Sequence, residues 1–303
     1  AGNDLINAGT VETRGPVVLR DVTVYERTQG VLSSMLKADS AKPVAGGWEL
    51  TNARRFIRRS GTLEPLGTIV AMKGVGTDQF TLAQVERIEA VVEERGWRQL
   101  PTFERIGAVY DFVRSEIAFG YNAGDELPAS VVMADGIGQC NTKATLLMAL
   151  MRAVGIACRF HGFTIDKPLQ KGAITGLAYV LAPRRIIHSW VEVAFEGRWV
   201  NLEGFILDAP YLASLQRHFP GRQRFCGYGA ATPDLSAPGV EWRGQDTYIQ
   251  KDGIADDFGV FDSPDEFYAR HGSNLSGVKR WLYAQVIRHR MNAQVRRIRA
   301  EKW

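Results

Sequence analysis

Residues 136–155 read GIGQCNTKATLLMALMRAVG. A glycine-rich approach delivers Cys140 to the first turn of an expected helix. Ala144, Leu147, Met148, Met151 and Val154 recur at spacings of three and four, which gives the helix one apolar, inward face. Gly155 ends it, because glycine takes positive φ without steric cost. A thiol in the first turn sits among unpaired N–H groups at the positive end of the helix dipole. Both favour the thiolate, the nucleophilic form.

Working outward, residues 187–204 read IHSWVEVAFEGRWVNLEG. Val191, Val193 and Phe195 alternate with Trp190, Glu192 and Ala194, the period of a strand. Glu196-Gly197 makes a turn, and Arg198–Leu202 returns as a second strand. With a two-residue turn Phe195 faces Arg198, and Glu203 lies diagonal to His188 on the same side. Such a diagonal spans about 7–8 Å, within reach of a long side chain. Glu203 would then hold one imidazole nitrogen while the other faces a thiol. A three-residue turn reverses this parity. Asp208, of opposite parity and beyond the strand, is the other acid in range.

These two stretches resemble the core of the transglutaminase-like superfamily. The family pattern is a cysteine opening a leucine-rich helix that runs into Arg-Ala-x-Gly-Ile, then a His-x-Trp-Val-Glu-Val strand and a Gly-x-Trp-Val strand ending in an acid. The resemblance covers roughly residues 103–208. It implies an α+β, papain-like fold in which the nucleophile helix packs on an antiparallel sheet. It also implies Cys140 as nucleophile, His188 as general base and Glu203 as the acid that orients the ring. The family usually has aspartate at the last position.

The whole chain is consistent with that reading. Its 303 residues are 45% hydrophobic and 23% charged, ordinary for a globular protein. A net charge of +4 is too mild a bias to argue for a nucleic-acid partner. No run of about 18 apolar residues announces a membrane span, and the first residues lack a basic and apolar signal pattern. Three cysteines, at 140, 158 and 226, give neither a disulfide framework nor a Cys-x-x-Cys metal spacing. They suit a reducing compartment, so the expected location is cytoplasmic.

Three segments are expected: a β-rich extension over 1–80, the catalytic core over 81–215, and an irregular wrap ending in a helix over 216–303. In the first, short strands are expected near Val17–Leu19, Val22–Tyr25, Trp48–Leu50 and Thr68–Met72. Arg54, Arg55, Arg58 and Arg59 form a basic cluster there, read as a solvated face. Lys73–Thr77 lacks the ending of a phosphate-binding loop. Helices are expected over Thr81–Arg95, with Thr81 and Gln84 as a capping box, and over Thr102–Ile117, with Phe103, Ile106, Val109 and Val113 inward. Phe119–Leu127 is a polar loop whose Tyr121, Asn122 and Asp125 are candidates to line a cleft. Strands are expected at Ile156–Ile165 and Leu177–Leu181, and a short helix at Pro264–Ala269. Leu275–Lys302 reads as one long helix with Trp281, Ala284, Ile287, Met291, Val295 and Ile298 on its inner face.

Among the five histidines, at 161, 188, 218, 271 and 289, only His161 rivals His188, because it shares the strand after the Cys140 helix. Gln139 is a candidate oxyanion donor beside the N–H of Cys140, and Trp190 a candidate cleft wall. Cys158 and Cys226 read as structural thiols. The expected chemistry is acyl transfer at an amide bond through a thioester, by hydrolysis or by transamidation, on a peptide or small-molecule amide and with an amine as the possible acceptor. It needs neither metal nor organic cofactor. The alternatives are a small-molecule acyltransferase or condensing enzyme of the same fold, and a non-catalytic binding module.

Overall fold

A computed structural model describes residues 5–12, 18–28, 31–44, 47–57, 62–71, 82–176, 179, 182–275 and 277–303. Arg58, Arg59, the Lys73–Thr77 segment, Thr81 and most of the expected strand at Leu177–Leu181 lie outside them. The chain divides into two compact units, residues 1–85 and 86–303.

The first unit is a five-stranded antiparallel meander: β1 (Leu5–Glu12), β2 (Val18–Thr28), β3 (Val31–Val44), β4 (Gly47–Ile57) and β5 (Thr62–Ala71). Val22, Val24, Leu36, Ala38, Ala41, Trp48 and Leu50 fill its inner face. The strands run longer than their apolar alternation suggests, and β1 and β3 are additional to those expected. Arg54 lies exposed on β4.

The second unit is built around α4 (Cys140–Ala153). Before it come α1 (Leu82–Glu94), α2 (Thr102–Ser115), the short parallel pair β6 (Ala118–Phe119) and β7 (Ile137–Gly138), and α3 (Ala129–Asp135). Helix α4 packs against β8 (Cys158–Asp166) and β9 (Arg185–Phe195) of a four-stranded antiparallel sheet. The sheet order is β10-β9-β8-β13, with β10 at Arg198–Leu202 and β13 at Ile254–Phe261. Between β10 and β13 come α5 (Ala209–His218) and the small pair β11 (Phe225–Gly227) and β12 (Ala230–Thr232). Helices α6 (Pro264–His271), α7 (Gly277–Leu282) and α8 (Arg288–Arg299) complete the unit.

The fold is therefore mixed α+β, with the expected nucleophile helix on an antiparallel sheet. The β9–β10 turn has two residues, Glu196 at φ 48° and Gly197 at φ 76°, so Phe195 pairs with Arg198 and Leu202 with Val191. Two left-handed residues in succession match the twist of the flanking strands.

Three local expectations are corrected. Phe103 is not inward but 41% exposed, where it meets Phe195 and Trp242 in an aromatic cluster at the surface. Strand β13 lies within the stretch expected to be irregular; its run of Asp256 and Asp257 hides the alternation, and those acids bond Thr164 and His161 on β8. The C-terminal helix is interrupted by a π-helical turn over Tyr283–Ile287. One extra residue in a turn rotates the N-terminal part of a helix by about 100° relative to the C-terminal part. Trp281 is accordingly 64% exposed, whereas Met291, Val295 and Ile298 are buried.

Candidate active site

Cys140 occupies the first position of α4, and its approach is fixed by hydrogen bonds. Gln139 N donates to Thr142 Oγ1 at 3.1 Å, and Thr142 Oγ1 donates to Asn122 Oδ1 at 2.7 Å. Asn122 N donates to Gln139 Oε1 at 2.9 Å, which ties the 119–127 loop to the helix start. Within that loop Tyr121, Asn122 and Asp125 are buried, while Glu126 is exposed.

The residues on either side of the sulfur are anchored together. Gln139 Nε2 and Asn141 Nδ2 both donate to Asp125 Oδ1 at 3.1 Å. Asn274 Nδ2 donates to Asp125 Oδ2 at 2.9 Å, while Asn274 Oδ1 accepts from Ile187 N at 2.7 Å. Ser189 Oγ donates to Asn141 Oδ1 at 3.0 Å. Residues 139 and 141, which flank the cysteine, are thus bonded to a network that holds 187 and 189, which flank His188. Asn141, Ser189 and Asn274 carry no sequence pattern that marks them. Asn274 sits in a loop far along the chain, and only its position in space makes it part of the site.

His188 and Glu203 are fully buried, with His188 Nε2 3.1 Å from Glu203 Oε1. Glu203 Oε2 accepts from the N–H groups of Ile249 and Gln250, both at 2.9 Å. A carboxylate oxygen accepts, so Nε2 carries the ring proton and Nδ1 keeps its lone pair. Nδ1 is buried with no hydrogen-bond partner among the described residues. The diagonal reach is as the two-residue turn requires, but the ladder ends at Leu202 and Glu203 N turns away to Thr247 O at 3.0 Å. Gly204 permits that exit: a Cβ there would lie 2.5 Å from Tyr110 Oη and 2.8 Å from Val240 Cα.

The same residues carry a family signature. Residues 89–204 match the family model of the transglutaminase-like superfamily. They form a transglutaminase-like domain. Its limits take in Cys140, His188 and Glu203. No curated protein matches the chain. Among solved structures, a "Putative Cysteine Protease" from Cytophaga hutchinsonii is 13% identical with a TM-score of 0.34, over 60% of this chain and 44% of that one. A "putative protease" from Parabacteroides distasonis is 12% identical with a TM-score of 0.25, over 68% of this chain and 42% of that one. The chain therefore spans less than half the length of either.

Cys140 of this transglutaminase-like domain is 7% exposed and lines a cavity of about 220 Å³. Burial pushes its thiol well up from the ordinary value, and the charges of Asp125 and Glu203 push the same way. The N–H groups of Asn141 and Ser189 pull it down without reversing that. The first-turn position therefore does not make a resting thiolate here, since desolvation outweighs the helix end.

The other candidates take a variety of places. Gln139 lines the cavity, whereas Trp190 does not. Trp190 packs behind the histidine against Phe163, with ring centres 4.5 Å apart, because the β8–β9 register puts both on one face. Asp208 caps α5 through Tyr211 N and pairs with Arg299 at 2.6 Å. His161 is held between Glu192 at 2.6 Å and Asp257 at 2.8 Å. Cys158 lies half-buried on β8 and Cys226 is exposed. Among the described residues no helix is long and apolar enough to cross a membrane.

Proposed function

We propose that this protein performs cysteine-dependent acyl transfer at an amide bond, with Cys140 as nucleophile, His188 as general base and Glu203 as the residue that fixes the ring. The observation that carries this is His188: a fully buried imidazole with one nitrogen bonded to a carboxylate and the other without a partner among the described residues. A buried basic nitrogen left unpaired costs stability. A reacting thiol would repay that cost in function. The N–H of Ser189, the next residue, is near enough to the Cys140 sulfur to favour its thiolate, which supports a histidine strand running beside Cys140.

Because the thiol is neutral at rest, its proton passes to His188 Nδ1 as the sulfur attacks the amide carbonyl. The carbonyl electrons move onto oxygen. The N–H of Cys140 and the remaining Nε2 hydrogen of Gln139 would receive that oxyanion. As the C–N bond breaks, Nδ1 returns the proton to the departing amine and a thioester remains on Cys140. Water or a second amine then attacks the thioester, with His188 taking the proton of the attacking group. Glu203 holds the ring and stabilises its charge.

The test is intact-protein mass spectrometry after incubation with a library of peptide and small-molecule amides. A mass increase equal to the acyl group, mapped to Cys140 and absent in Cys140→Ala, is the expected result. Acylation that persists in Cys140→Ala, or an inert Cys140 towards every donor while Cys158 or Cys226 reacts, would overturn the assignment.

A further inference from the structure

We infer that the cavity beside Cys140 selects an uncharged, apolar acyl group about the size of a phenyl ring or a chain of six carbons. This rests on the thioester chemistry proposed above and names the substrate class for it. Much of the cavity lining is apolar: Ile174, Ile187, Leu275, Leu282, Ile287 and Met291. A buried cavity of about 150 Å³ lined by such residues accommodates benzene. The cavity here, about 220 Å³, holds a slightly larger group.

Asp125 is the one carboxylate among the described lining residues, and it is already engaged. Asp125 accepts from Gln139, Asn141 and the side chain and backbone of Asn274, so all its lone-pair directions are used. A cationic acyl chain would find no free carboxylate among the described lining residues, and a charge taken into an apolar wall without a partner is strongly disfavoured. Lys279 and Arg280 also line the cavity, and Arg280 lies 3.5 Å from Glu126. They make an acidic chain the one competing class. The shape has a cause in the backbone. The π-helical turn places Tyr283 and Ile287 on the cavity while Trp281, on the turn before, is exposed.

The experiment is competitive alkylation of the protein, read by peptide mass spectrometry at Cys140, with the exposed Cys226 as internal reference. The probes are iodoacetamide, its N-butyl, N-hexyl and N-benzyl derivatives, and iodoacetate. Relative to Cys226, the Cys140 rate is expected to rise about fourfold per methylene up to about six carbons, the factor for burying one methylene. N-benzyl iodoacetamide should match the N-hexyl compound. Leu282→Trp and Ile287→Trp, at partly exposed positions, should each remove most of that gain. Equal ratios at the two cysteines, or a preference for iodoacetate, would overturn the inference. The two readings fail separately. An apolar preference with no acyl-enzyme from any amide leaves the cavity assignment and removes the amide chemistry. Acyl-enzyme formed alike from apolar and charged donors does the reverse.

Discussion

His188 and Glu203 meet with neither side chain exposed, at 3.1 Å between Nε2 and Oε1. A buried carboxylate is expensive unless every lone pair is used. Here the second oxygen takes two backbone N–H groups from Ile249 and Gln250. Those donors come from the stretch just before β13, so the acid depends on a part of the chain remote from the Cys140–Glu203 region. The longer side chain of glutamate suits this geometry, because the β10 ladder has already ended at Leu202.

Glu203→Gln should therefore fail in either rotamer. With its oxygen towards Nε2–H, the amide nitrogen faces two N–H donors. With its oxygen towards those donors, the amide N–H faces the ring and drives the proton to Nδ1, where it blocks the base. The expected loss in kcat/KM is about 10³–10⁴-fold, the scale of a wrong tautomer in a triad. Steady-state rates on any donor found to acylate Cys140 would check this; a loss under tenfold would separate Glu203 from the mechanism.

The elevated Cys140 pKa makes a second prediction. A neutral thiol at rest means that its alkylation by iodoacetamide keeps climbing with pH, about tenfold per unit, through pH 8 and 9. A preformed thiolate–imidazolium pair would instead give a plateau already reached near pH 6. Rates of Cys140 labelling between pH 5 and 9.5, mapped by mass spectrometry, distinguish the two. His188→Ala should leave the alkaline limb in place, since it reflects burial and the nearby Asp125 charge.

Lys143 lies one turn into α4, fully buried, with Nζ donating to Ile206 O at 3.1 Å. Burial lowers its ammonium from an ordinary 10.5 to about 7, against the pull of Asp208. The unfolded chain then holds that proton up to about pH 10, whereas the fold releases it near neutrality. Stability contributed by this site rises with pH between those values. Lys143→Met should remove that rise. Wild-type Tm measured at pH 7 and at pH 9, minus the variant's, should increase by about 2–4 °C or more over the interval. A flat difference would mean the lysine stays charged inside the protein.

The site is legible in sequence where it is local. Helical spacing after Cys140 and strand alternation around a two-residue Glu196-Gly197 turn are enough to bring His188 and Glu203 together. Spacing cannot show the groups that the chain brings from far away, nor those that break a period. Asn274 reaches Asp125 from a loop with no signal of its own. The π-helical turn keeps an apparently continuous helical pattern while changing which side is inward, so the pattern buries Trp281 and the fold exposes it. Strand β13 carries its acids against partners on β8, and alternation by polarity cannot see that. Asp125 and Tyr121 stand out as cleft candidates because a polar loop precedes the nucleophile, but their burial comes from side-chain bonding that spacing does not encode.

Asp208 separates a structural acid from a reacting one. Burial pushes its carboxyl up, yet the Arg299 guanidinium and the N–H groups of Phe119 and Tyr211 outweigh that and hold it below the ordinary 3.8. A depressed folded value means that its stabilising contribution is complete above the ordinary value and is lost as pH falls through the depressed one. Asp208→Asn should cost about 2–4 kcal/mol at pH 7, because Arg299 loses its charge partner and the new amide faces the Phe119 N–H. The gap between wild type and variant should close progressively below pH 4, as the wild-type carboxyl takes up its proton. Denaturant unfolding at pH 7, 4 and 3 would check this. The variant should keep the Cys140 labelling profile of the wild type, since Asp208 touches neither Cys140 nor His188. A gap that stays constant down to pH 3 would show that the cost comes from packing at the α5 cap and not from the Arg299 ion pair.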